Sequence, residues 1–579
     1  MFGASTIRRV RAAAGRFIGA NQGNIAVIFA IALVPVISFV GAAVDYSRAN
    51  SARSSMQAAL DSTALMLSKD LSSGLITTSQ INAKAQTYFA ALYTNPDAQS
   101  VSINAAYTAS NGSLGSTIQV NGSGSITTDF MRVAGFPNIS FNTSSTAAWG
   151  NVKMRVAMAL DNTGSMAADG KITALRTAAT NLINQLSALA QNSGDVYISI
   201  IPFAKVVNVG ASNYTQNWID WTDWANPPTV QPTLSPQPTL PSNWSSIGPG
   251  STCSFTTSNS GFVCTTSPVN ASSNTSSIPS SGSYKGYICP GLDANSHTMY
   301  NGCWTSALKS PAQTATYSTG GSASCSGANS TCSCSGSGKV CTVSLYDHTW
   351  VANATSTWTG CVTDRTQPYD AQNTTPTTTT TATLFPANQY YENGTAYCDP
   401  NSSTPLQQIV PLSYNWTSLK ATIAAMQPTG GTDQAIGLAW AWESLLQSAP
   451  MNAPAEDSTY TYNRAIILLS DGLNTEDRWP ANGDGSTQNV DAHGNGLIDN
   501  RQALLCQNIK AMIDPKTNGP MYTIYTIQVN TSSPADPTSS VLQNCATDPS
   551  KFFMLTSANE IVTTFNSIGT SLSQLRVAR

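Results

Sequence analysis

The chain has 579 residues, more than one hydrophobic core usually supports, so two or three domains are expected. Its 27 basic and 30 acidic residues give a net charge of −3 and only 10% charged residues, against about 25% in a typical soluble domain. This composition excludes a charge-driven disordered chain and a nucleic-acid binder built on a basic face. Ten of the 12 cysteines lie between Cys253 and Cys398, which predicts disulfides formed in an oxidising compartment.

Residues 25–44 form an uncharged run that is long enough to cross a bilayer as a helix. The preceding segment, 1–24, is basic and carries no acidic residue; its arginines are Arg8, Arg9, Arg11 and Arg16. By the positive-inside rule, the N-terminus stays cytoplasmic and the rest of the chain is translocated. Two alternatives stay open: a signal peptide cleaved near Ala43, whose apolar region is normally shorter, and a buried helix of a globular domain.

Residues 45–150 are predicted to form an α+β stem. Apolar and small residues continue at helical spacing beyond the apolar run: Tyr46, Ala49, Ala52, Met56, Ala59, Leu60, Thr63 and Leu67. A second helix is expected over 80–92. β-branched, alternating segments at 101–107, 117–120 and 139–141, separated by Asn-Gly and Gly-Ser turns, predict strands.

The segments 23–65 and 127–149 resemble the N-terminal module of TadG-like proteins of bacterial tight-adherence (Flp) pilus systems. The resemblance implies one helix through the inner membrane, a pilin-like stem, and an extracytoplasmic bulk in the periplasm or at the cell surface. The chain departs from Flp prepilins at one position. They have a Glu five residues after the glycine at the position of Gly23, whereas this chain has Ile28 there. Processing by a prepilin peptidase is therefore not expected.

The clearest chemistry follows an apolar strand at 152–160. Asp161, Thr163 and Ser165 come directly after this strand, and a helix is predicted over 171–189. In an open α/β sheet, ligands bind at the carboxyl ends of the strands. Carboxylate and hydroxyl oxygens suit a hard cation such as Mg²⁺. The alternative is that Asp161 and Thr163 only cap the following helix.

Two later segments support a site. Thr432 lies in a Gly-Gly-Thr-Asp loop before a predicted helix, and Asp471 ends a buried strand at 464–470. The remaining elements alternate along the chain as in a doubly wound α/β sheet: strand 196–204, helix 502–513, strand 521–529, helix 539–546, strand 551–555 and helix 559–575.

This order resembles that of von Willebrand factor A domains. The resemblance implies a metal-ion-dependent adhesion site for Mg²⁺ or Mn²⁺, with the ligands Asp161, Thr163, Ser165, Thr432 and Asp471. Thr163 stands where the family has Ser. The resemblance also implies that an acidic residue of a protein partner completes the coordination, so the site would serve recognition and not catalysis.

The A-type domain would consist of 151–210 and 407–579, separated by a Cys-rich insertion at 211–406. Its third strand would begin at 206–209 and continue at 409–412. We expect the insertion to be disulfide-stapled, with the pairing left open, and Cys506 and Cys545 to form one more bridge. A zinc module at Cys325, Cys332, Cys334 and Cys341 is disfavoured because the spacing does not give two C-x-x-C pairs.

Two further patterns have competing interpretations. Trp218, Trp221 and Trp224 recur every three residues, which indicates core packing more often than an exposed aromatic platform. The loop 491–502 follows the spacing of an EF-hand calcium loop, but His493 and Gln502 stand at two ligand positions. A polar turn is the favoured interpretation.

We therefore expect a membrane-anchored component of a Flp pilus assembly or adhesion apparatus that binds protein partners through a divalent metal. A released or surface-displayed adhesin is the alternative. A Mg²⁺-dependent hydrolase is disfavoured because the sequence has no P-loop, G-x-S-x-G or H-E-x-x-H motif. No nucleic-acid partner is expected.

Overall fold

The chain is described by a computed structural model. The described residues are 24–72, 75–109, 115–149, 152–190, 192–230, 240, 243–256, 261–265, 275–283, 285–288, 301–318, 325, 329–336, 340–388 and 397–577. The four arginines predicted to set membrane topology lie outside them. The chain divides into two units, residues 1–152 with 574–579, and residues 153–573.

The first unit is a long helix packed on a three-stranded antiparallel sheet. Its elements are α1 (Asn24–Ser72), α2 (Ile81–Leu92), β1 (Ala98–Thr108), β2 (Ser116–Thr127) and β3 (Asn138–Trp149), with the strand order β1-β2-β3. Residues of α1 at intervals of three and four are buried against the sheet, among them Ala52, Met56, Leu60 and Leu67. The α+β organisation of this segment agrees with the helical spacing and strand alternation of its sequence.

One residue of the predicted apolar face of α1 was misplaced. Tyr46 is 68% exposed, while its neighbour Asp45 is fully buried. The Asp45 carboxylate accepts hydrogen bonds from the backbone N–H groups of Asp129, Phe130 and Met131 at 2.8–3.0 Å. These three charge-assisted bonds offset the cost of burying the carboxylate, so Asp45 takes the inward position.

The N-terminal half of α1 is long and apolar enough to cross a membrane. Within the described residues, the candidate span falls in Ile31–Ser72, and only 12% of its most apolar window is buried. Large side chains such as Ile37, Phe39 and Val40 are exposed there. A core helix of a soluble protein is mostly buried, and this segment is not. A signal sequence near the N-terminus shares the same length and composition.

The second unit is built on an eight-stranded sheet with helices on both faces. The strands are β4 (Val152–Asp161), β5 (Val196–Phe203), β6 (Val207–Asn208), β16 (Cys361–Val362), β18 (Val410–Ser413), β19 (Thr461–Ser470), β20 (Tyr522–Val529) and β21 (Phe552–Leu555). Their order is β16-β6-β5-β4-β19-β20-β21, and β18 also pairs with β5. The pairs β4–β5, β19–β20 and β20–β21 are parallel.

The helices of this unit form two layers. On one face lie α3 (Lys171–Ser187), α5 (Trp416–Ala425) and α9 (Asn559–Val577); on the other lie α6 (Gln434–Glu443), α7 (Leu497–Lys510) and α8 (Ser540–Cys545). The strands between them are buried on both sides, which explains their nearly continuous apolar sequence. The alternation of strands and helices along the sequence thus predicted the layers correctly.

One strand of this sheet is interrupted by the insertion, as the sequence predicted for the third strand of the A-type domain. Val207 of β6 pairs with Phe203, and Val410 of β18 pairs with Ile200, both antiparallel to β5. The N–H of Ile409 donates to the carbonyl of Asn208 at 2.8 Å. The chain therefore leaves this strand at Asn208 and re-enters it about 200 residues later.

The described part of the insertion consists of short elements. They are β7 (Ile219–Asp220), α4 (Thr222–Ala225), β8 (Thr252–Thr256), β9 (Gly261–Thr265), β10 (Thr275–Ser277), β11 (Gly302–Leu308), β12 (Thr314–Ser318), β13 (Ser333–Ser335), β14 (Val340–Ser344), β15 (Tyr346–Ala352) and β17 (Phe385–Pro386). Trp218 and Trp224 are buried in the same core cluster as α6 and α7, and Trp221 packs against it. The core interpretation of this tryptophan series is confirmed, and an exposed platform is wrong.

The disulfide pairing that the sequence left open is defined for eight described cysteines. The bridges are Cys325–Cys332, Cys334–Cys341, Cys361–Cys398 and Cys506–Cys545. The last one joins α7 to α8, as predicted. The four cysteines weighed as zinc ligands are paired in two disulfides whose sulfur atoms all lie within 4.8 Å of one another.

The loop with EF-hand-like spacing is organised around one side chain. The exposed Asp491 carboxylate accepts hydrogen bonds from the N–H groups of His493 and Asn495 and from the Asn500 amide. These bonds, first the one from Asn495, lower the pKa of Asp491 to about 2. Helix α7 already begins at Leu497, inside the pattern. The hydrogen bonding is that of a polar turn.

Candidate metal centre

The candidate centre begins where β4 ends. Asp161 is fully buried, and its Oδ1 atom accepts a hydrogen bond from the N–H of Thr163 at 2.8 Å. Its Oδ2 atom accepts one from the Ser470 hydroxyl at 2.6 Å and a longer one from the N–H of Asp471 at 3.4 Å. Because β4 and β19 are neighbours in the sheet, their carboxyl ends bring Asp161 and Asp471 together.

Two hydroxyl groups complete a continuous chain of oxygen atoms. The Thr163 and Ser165 hydroxyl oxygens lie 3.0 Å apart, and the Ser165 hydroxyl donates to Asp471 Oδ1 at 2.7 Å. The hydroxyl group of Thr163 therefore lies beside that of Ser165, although the Thr163 side chain carries an additional methyl group. Four of the five ligands predicted from the sequence are therefore in mutual contact, directly or through one neighbour.

The loop of Thr432 lies beside this chain and is joined to it through the backbone. The N–H of Gly164 donates to the carbonyl of Gly430 at 2.9 Å, and the N–H of Thr429 donates to the carbonyl of Asn162 at 2.7 Å. Gly430 has φ +75°, a backbone conformation that favours glycine. Thr432 itself is buried. In the described part of the chain, no hydrogen bond links its hydroxyl to the other four ligand side chains.

The centre holds more buried negative charge than hydrogen bonds alone neutralise. Burial, and next the charge of Asp471, raises the pKa of Asp161 to about 7, although the hydrogen bonds from Ser470 and Thr163 oppose this rise. Asp471 Oδ2 is buried and has no hydrogen-bond partner. Two carboxylates that approach each other in a dry site require a nearby cation or a shared proton.

A cation of the protein itself already lies at this position, and the sequence reasoning missed it. The Lys171 ammonium is 2.6 Å from Asp471 Oδ2, outside hydrogen-bonding geometry, and both side chains are buried. Lys171 is the first residue of α3, where a positive charge opposes the helix dipole. A lysine at a helix N-terminus just after an acidic loop is the sequence feature that could have indicated this ion pair.

The residues present fit a divalent cation by their chemistry. The donors are carboxylate and hydroxyl oxygens without any nitrogen or sulfur, which suits Mg²⁺ or Mn²⁺. Asp471 Oδ2 is an oxygen without a hydrogen-bond partner, and Asp161 carries a raised pKa that a bound cation would reverse. Lys171 competes with such a cation for Asp471.

A second group of buried carboxylates lies at the N-terminus of α6. Asp433 caps this helix, since its Oδ1 accepts from the N–H groups of Ala435 and Ile436. Its carboxyl group also contacts that of Asp364, a residue of the insertion. Burial, then the neighbouring carboxylates, raises the pKa of Asp364 to about 7 and that of Asp433 well above its usual value.

The same region joins the insertion to the loop that follows β19. The N–H of Arg478 donates to Asp364 Oδ2 at 3.3 Å, and its guanidinium lies 3.3 Å from Asp223 Oδ2. All three side chains are buried. Asp223 and Asp364 belong to the insertion, whereas Arg478 follows Asp471 by seven residues. The part of the insertion nearest the sheet is therefore fixed to the loop that carries Asp471.

The fold and this site define an α/β sheet with an oxygen-rich centre at the carboxyl ends of two neighbouring strands. Among known protein families, the model of TadE/G-like Flp pilus-assembly proteins matches residues 23–66. This match covers most of α1, including its apolar N-terminal half. It supports a role connected with pili and fits a membrane-anchored protein. A search of curated proteins returned no match.

Solved structures with some similarity include three pilus proteins. The pilus adhesin SpaC of Lactobacillus rhamnosus GG is 9% identical, with a TM-score of 0.27, and the match covers 83% of this chain and 35% of SpaC. The von Willebrand factor domain of the tip protein Mfa5 of Porphyromonas gingivalis is 9% identical, with a TM-score of 0.29, covering 75% of this chain and 98% of that domain. The tip pilin GBS104 of Streptococcus agalactiae is 10% identical, with a TM-score of 0.25, covering 81% and 68%. Similarity at this level does not establish a common fold.

Proposed function

We propose that this chain is a membrane-anchored, extracytoplasmic component of a tight-adherence (Flp) pilus assembly or adhesion apparatus. Its second unit would be a von Willebrand factor A-type domain that binds protein partners through a divalent metal. The observation that carries this proposal is the chain of contacts from Asp161 through Thr163 and Ser165 to Asp471, at the carboxyl ends of β4 and β19.

The metal would be Mg²⁺ or Mn²⁺, held by Asp161, Thr163, Ser165, Thr432 and Asp471. When bound, the dication supplies a coordination position that an acidic oxygen of a partner can occupy. Three of the five ligands are neutral hydroxyl groups, so the ligands would neutralise only part of the charge of the dication. A carboxylate from outside therefore adds favourable charge neutralisation, which is the basis of the recognition.

Membrane anchoring would come from residues 25–44 at the start of α1. The exposed apolar side chains of this segment and the TadE/G-like family match both support it. By the positive-inside rule, the basic residues before it would keep the N-terminus in the cytoplasm of a bacterium, with the bulk of the chain in the periplasm or at the cell surface. The disulfides are compatible with that compartment.

The proposal is tested by adhesion of cells that carry single substitutions. Asp471→Asn is expected to abolish pilus-dependent attachment to a surface in the presence of Mg²⁺, because Asn removes the charge needed to hold the dication. A matched control is Asp347→Asn, which changes an exposed aspartate of the insertion whose side chain is 69% accessible. Both variants must reach the membrane fraction in wild-type amounts. Normal attachment by the Asp471→Asn cells would refute the metal-dependent role.

Cell fractionation separates the anchored component from a released adhesin. An integral protein stays in the inner-membrane fraction after washing with carbonate. Recovery of the wild-type chain in the culture medium would instead support the adhesin alternative and contradict the anchor.

A further inference from the structure

The loop that joins β2 to β3 in the first unit lies beside the point where the apolar part of α1 ends. We call residues 128–137 the hairpin loop. Three of its backbone N–H groups donate to Asp45, which follows directly on the apolar run 25–44. The loop is therefore fixed to the residue at which α1 is expected to leave the membrane.

The hairpin loop also reaches past Asp45 toward the apolar run. The Phe130 ring packs against the backbone of α1 at Gly41, where a Cβ atom would lie 2.4 Å from the ring. A helix rises about 1.5 Å per residue, so Gly41 lies about 4–5 Å inside the end of the run at Val44. Glycine at this position is what allows an aromatic ring so close to the helix axis.

The hairpin loop exposes three large apolar side chains, together with the charged side chains of Arg132 and Asp129. Phe130, Val133 and Phe136 are 46%, 88% and 60% exposed. Such a cluster of exposed large apolar side chains on one short loop indicates a contact surface. One helical turn further from the apolar run, polar groups take over: Arg48 forms ion pairs with Asp97 and Asp129 at 3.3 and 2.6 Å. Phe130 of the loop therefore lies beside the end of the apolar run, and Asp129 lies beside the first charged turn of α1.

The conformation of the hairpin loop is held by its own hydrogen bonds. The N–H of Phe136 donates to the carbonyl of Met131 at 3.0 Å, and that of Gly135 donates to the carbonyl of Arg132 at 3.1 Å. The N–H of Thr128 donates to the carbonyl of Pro137 at 3.0 Å. The apolar side chains are therefore presented in a fixed arrangement, which lowers the entropic cost of binding.

We propose that the hairpin loop inserts Phe130, Val133 and Phe136 into the outer leaflet of the membrane that α1 crosses. This inference rests on the proposed membrane anchoring of α1. The occupant is a lipid surface because the exposed apolar side chains belong to the loop whose Phe130 ring packs against the apolar run of α1 at Gly41. Insertion to the level of Gly41 agrees with the depth of about 5–10 Å typical of interfacial segments. The stem would then be held to the bilayer at two points, which fixes its tilt.

The test uses the full chain reconstituted in phosphatidylcholine–phosphatidylglycerol vesicles. A cysteine is introduced as Val133→Cys and labelled with an environment-sensitive fluorophore. The described cysteines are all disulfide-bonded, which leaves the new thiol selective. Lipids with a spin label on the acyl chain quench a fluorophore that lies in the bilayer. The matched control is Leu75→Cys, another exposed apolar position, 74% accessible, just beyond the far end of α1.

We expect the label at residue 133 to lose most of its fluorescence in vesicles that contain the spin-labelled lipid, and the label at residue 75 to lose none. A third label, at Ile37→Cys in the apolar run, tests the anchor itself. Quenching at 37 without quenching at 133 overturns the inference while leaving the anchor intact. Absence of quenching at both positions overturns the anchor as well. A blue shift at 133 that acyl-chain quenchers do not affect would show that protein covers the loop, and would also overturn the inference.

Discussion

Replacing Asp161 by Asn removes one of two buried negative charges while nearly preserving the shape of the side chain. Burial and the charge of Asp471 raise the pKa of Asp161 from 3.8 to about 7. The folded chain therefore keeps a proton that the unfolded chain releases, and its stability falls as the pH rises from about 4 to about 7. At about 1.4 kcal/mol per pKa unit, this rise in pKa corresponds to a penalty of up to about 4 kcal/mol above pH 7.

The Asn variant avoids this penalty but loses part of the hydrogen bonding. The oxygen of the introduced Asn side chain would still accept a hydrogen bond from the N–H of Thr163. Its amide nitrogen, however, is a donor and would face another donor, the N–H of Asp471. That mismatch costs about 1–3 kcal/mol. In the presence of EDTA at pH 8, we therefore expect the variant to be more stable than the wild type by about 1–3 kcal/mol. At pH 5, where Asp161 is protonated in the wild type, the advantage should disappear.

Hydrogen exchange of the amides of β4 and β19, followed by mass spectrometry, measures this local stability in the full chain. Saturating Mg²⁺ should slow exchange of these strands in the wild type and leave the variant unchanged. Asp195→Asn provides the control, because Asp195 is buried in the same unit and accepts from the N–H of Asn192, so its loss should only destabilise. A wild type more stable than the Asp161→Asn variant in EDTA at pH 8 would refute the charge argument.

Three further changes have defined outcomes. Lys171→Met should raise Mg²⁺ affinity at least about tenfold in calorimetry, because the lysine ammonium competes with the dication for Asp471; weaker binding would show that it supports the site. Cys506→Ala should destabilise the α7–α8 region by about 3–4 kcal/mol in urea unfolding, since the lost bridge closes a loop of 39 residues; a midpoint equal to the wild type would contradict this. Glu443→Ala should cost about 3–5 kcal/mol in the same assay, because it leaves Arg365 buried without its partner at 3.0 Å, and an added Arg365→Leu should recover part of that loss.

The local sequence pattern was sufficient to predict most of the sheet and the proximity of the two loops that carry Asp161 and Asp471. Strand β4 is apolar up to Asp161 and β19 up to Ser470, and the carboxyl ends of neighbouring strands meet at one edge of a sheet. Placing Asp161 near Asp471 therefore required only the order of the elements. The contact between their loops follows from that order, although the two residues are far apart in the sequence.

Other features depend on contacts that periodicity does not encode. Tyr46 fits the helical spacing of α1, but Asp45 is buried in its place because a distant loop offers it three N–H groups. Lys171 pairs with Asp471 only after the sheet has formed. Trp218 joins the core of the second unit from within the insertion. In each case the partner is more than 80 residues away, and the preference of the single residue gives no information about it.

Mn²⁺ titration of the purified full chain, followed by calorimetry at pH 8, tests the central claim most directly. We expect one binding event per chain in the wild type and its loss in the Asp471→Asn variant, with the fold of the variant retained as judged by circular dichroism. The conservative control Asp347→Asn should bind as the wild type does. Absence of binding in the wild type, or equal binding by the Asp471→Asn variant, would contradict a metal-dependent recognition site at the ends of β4 and β19.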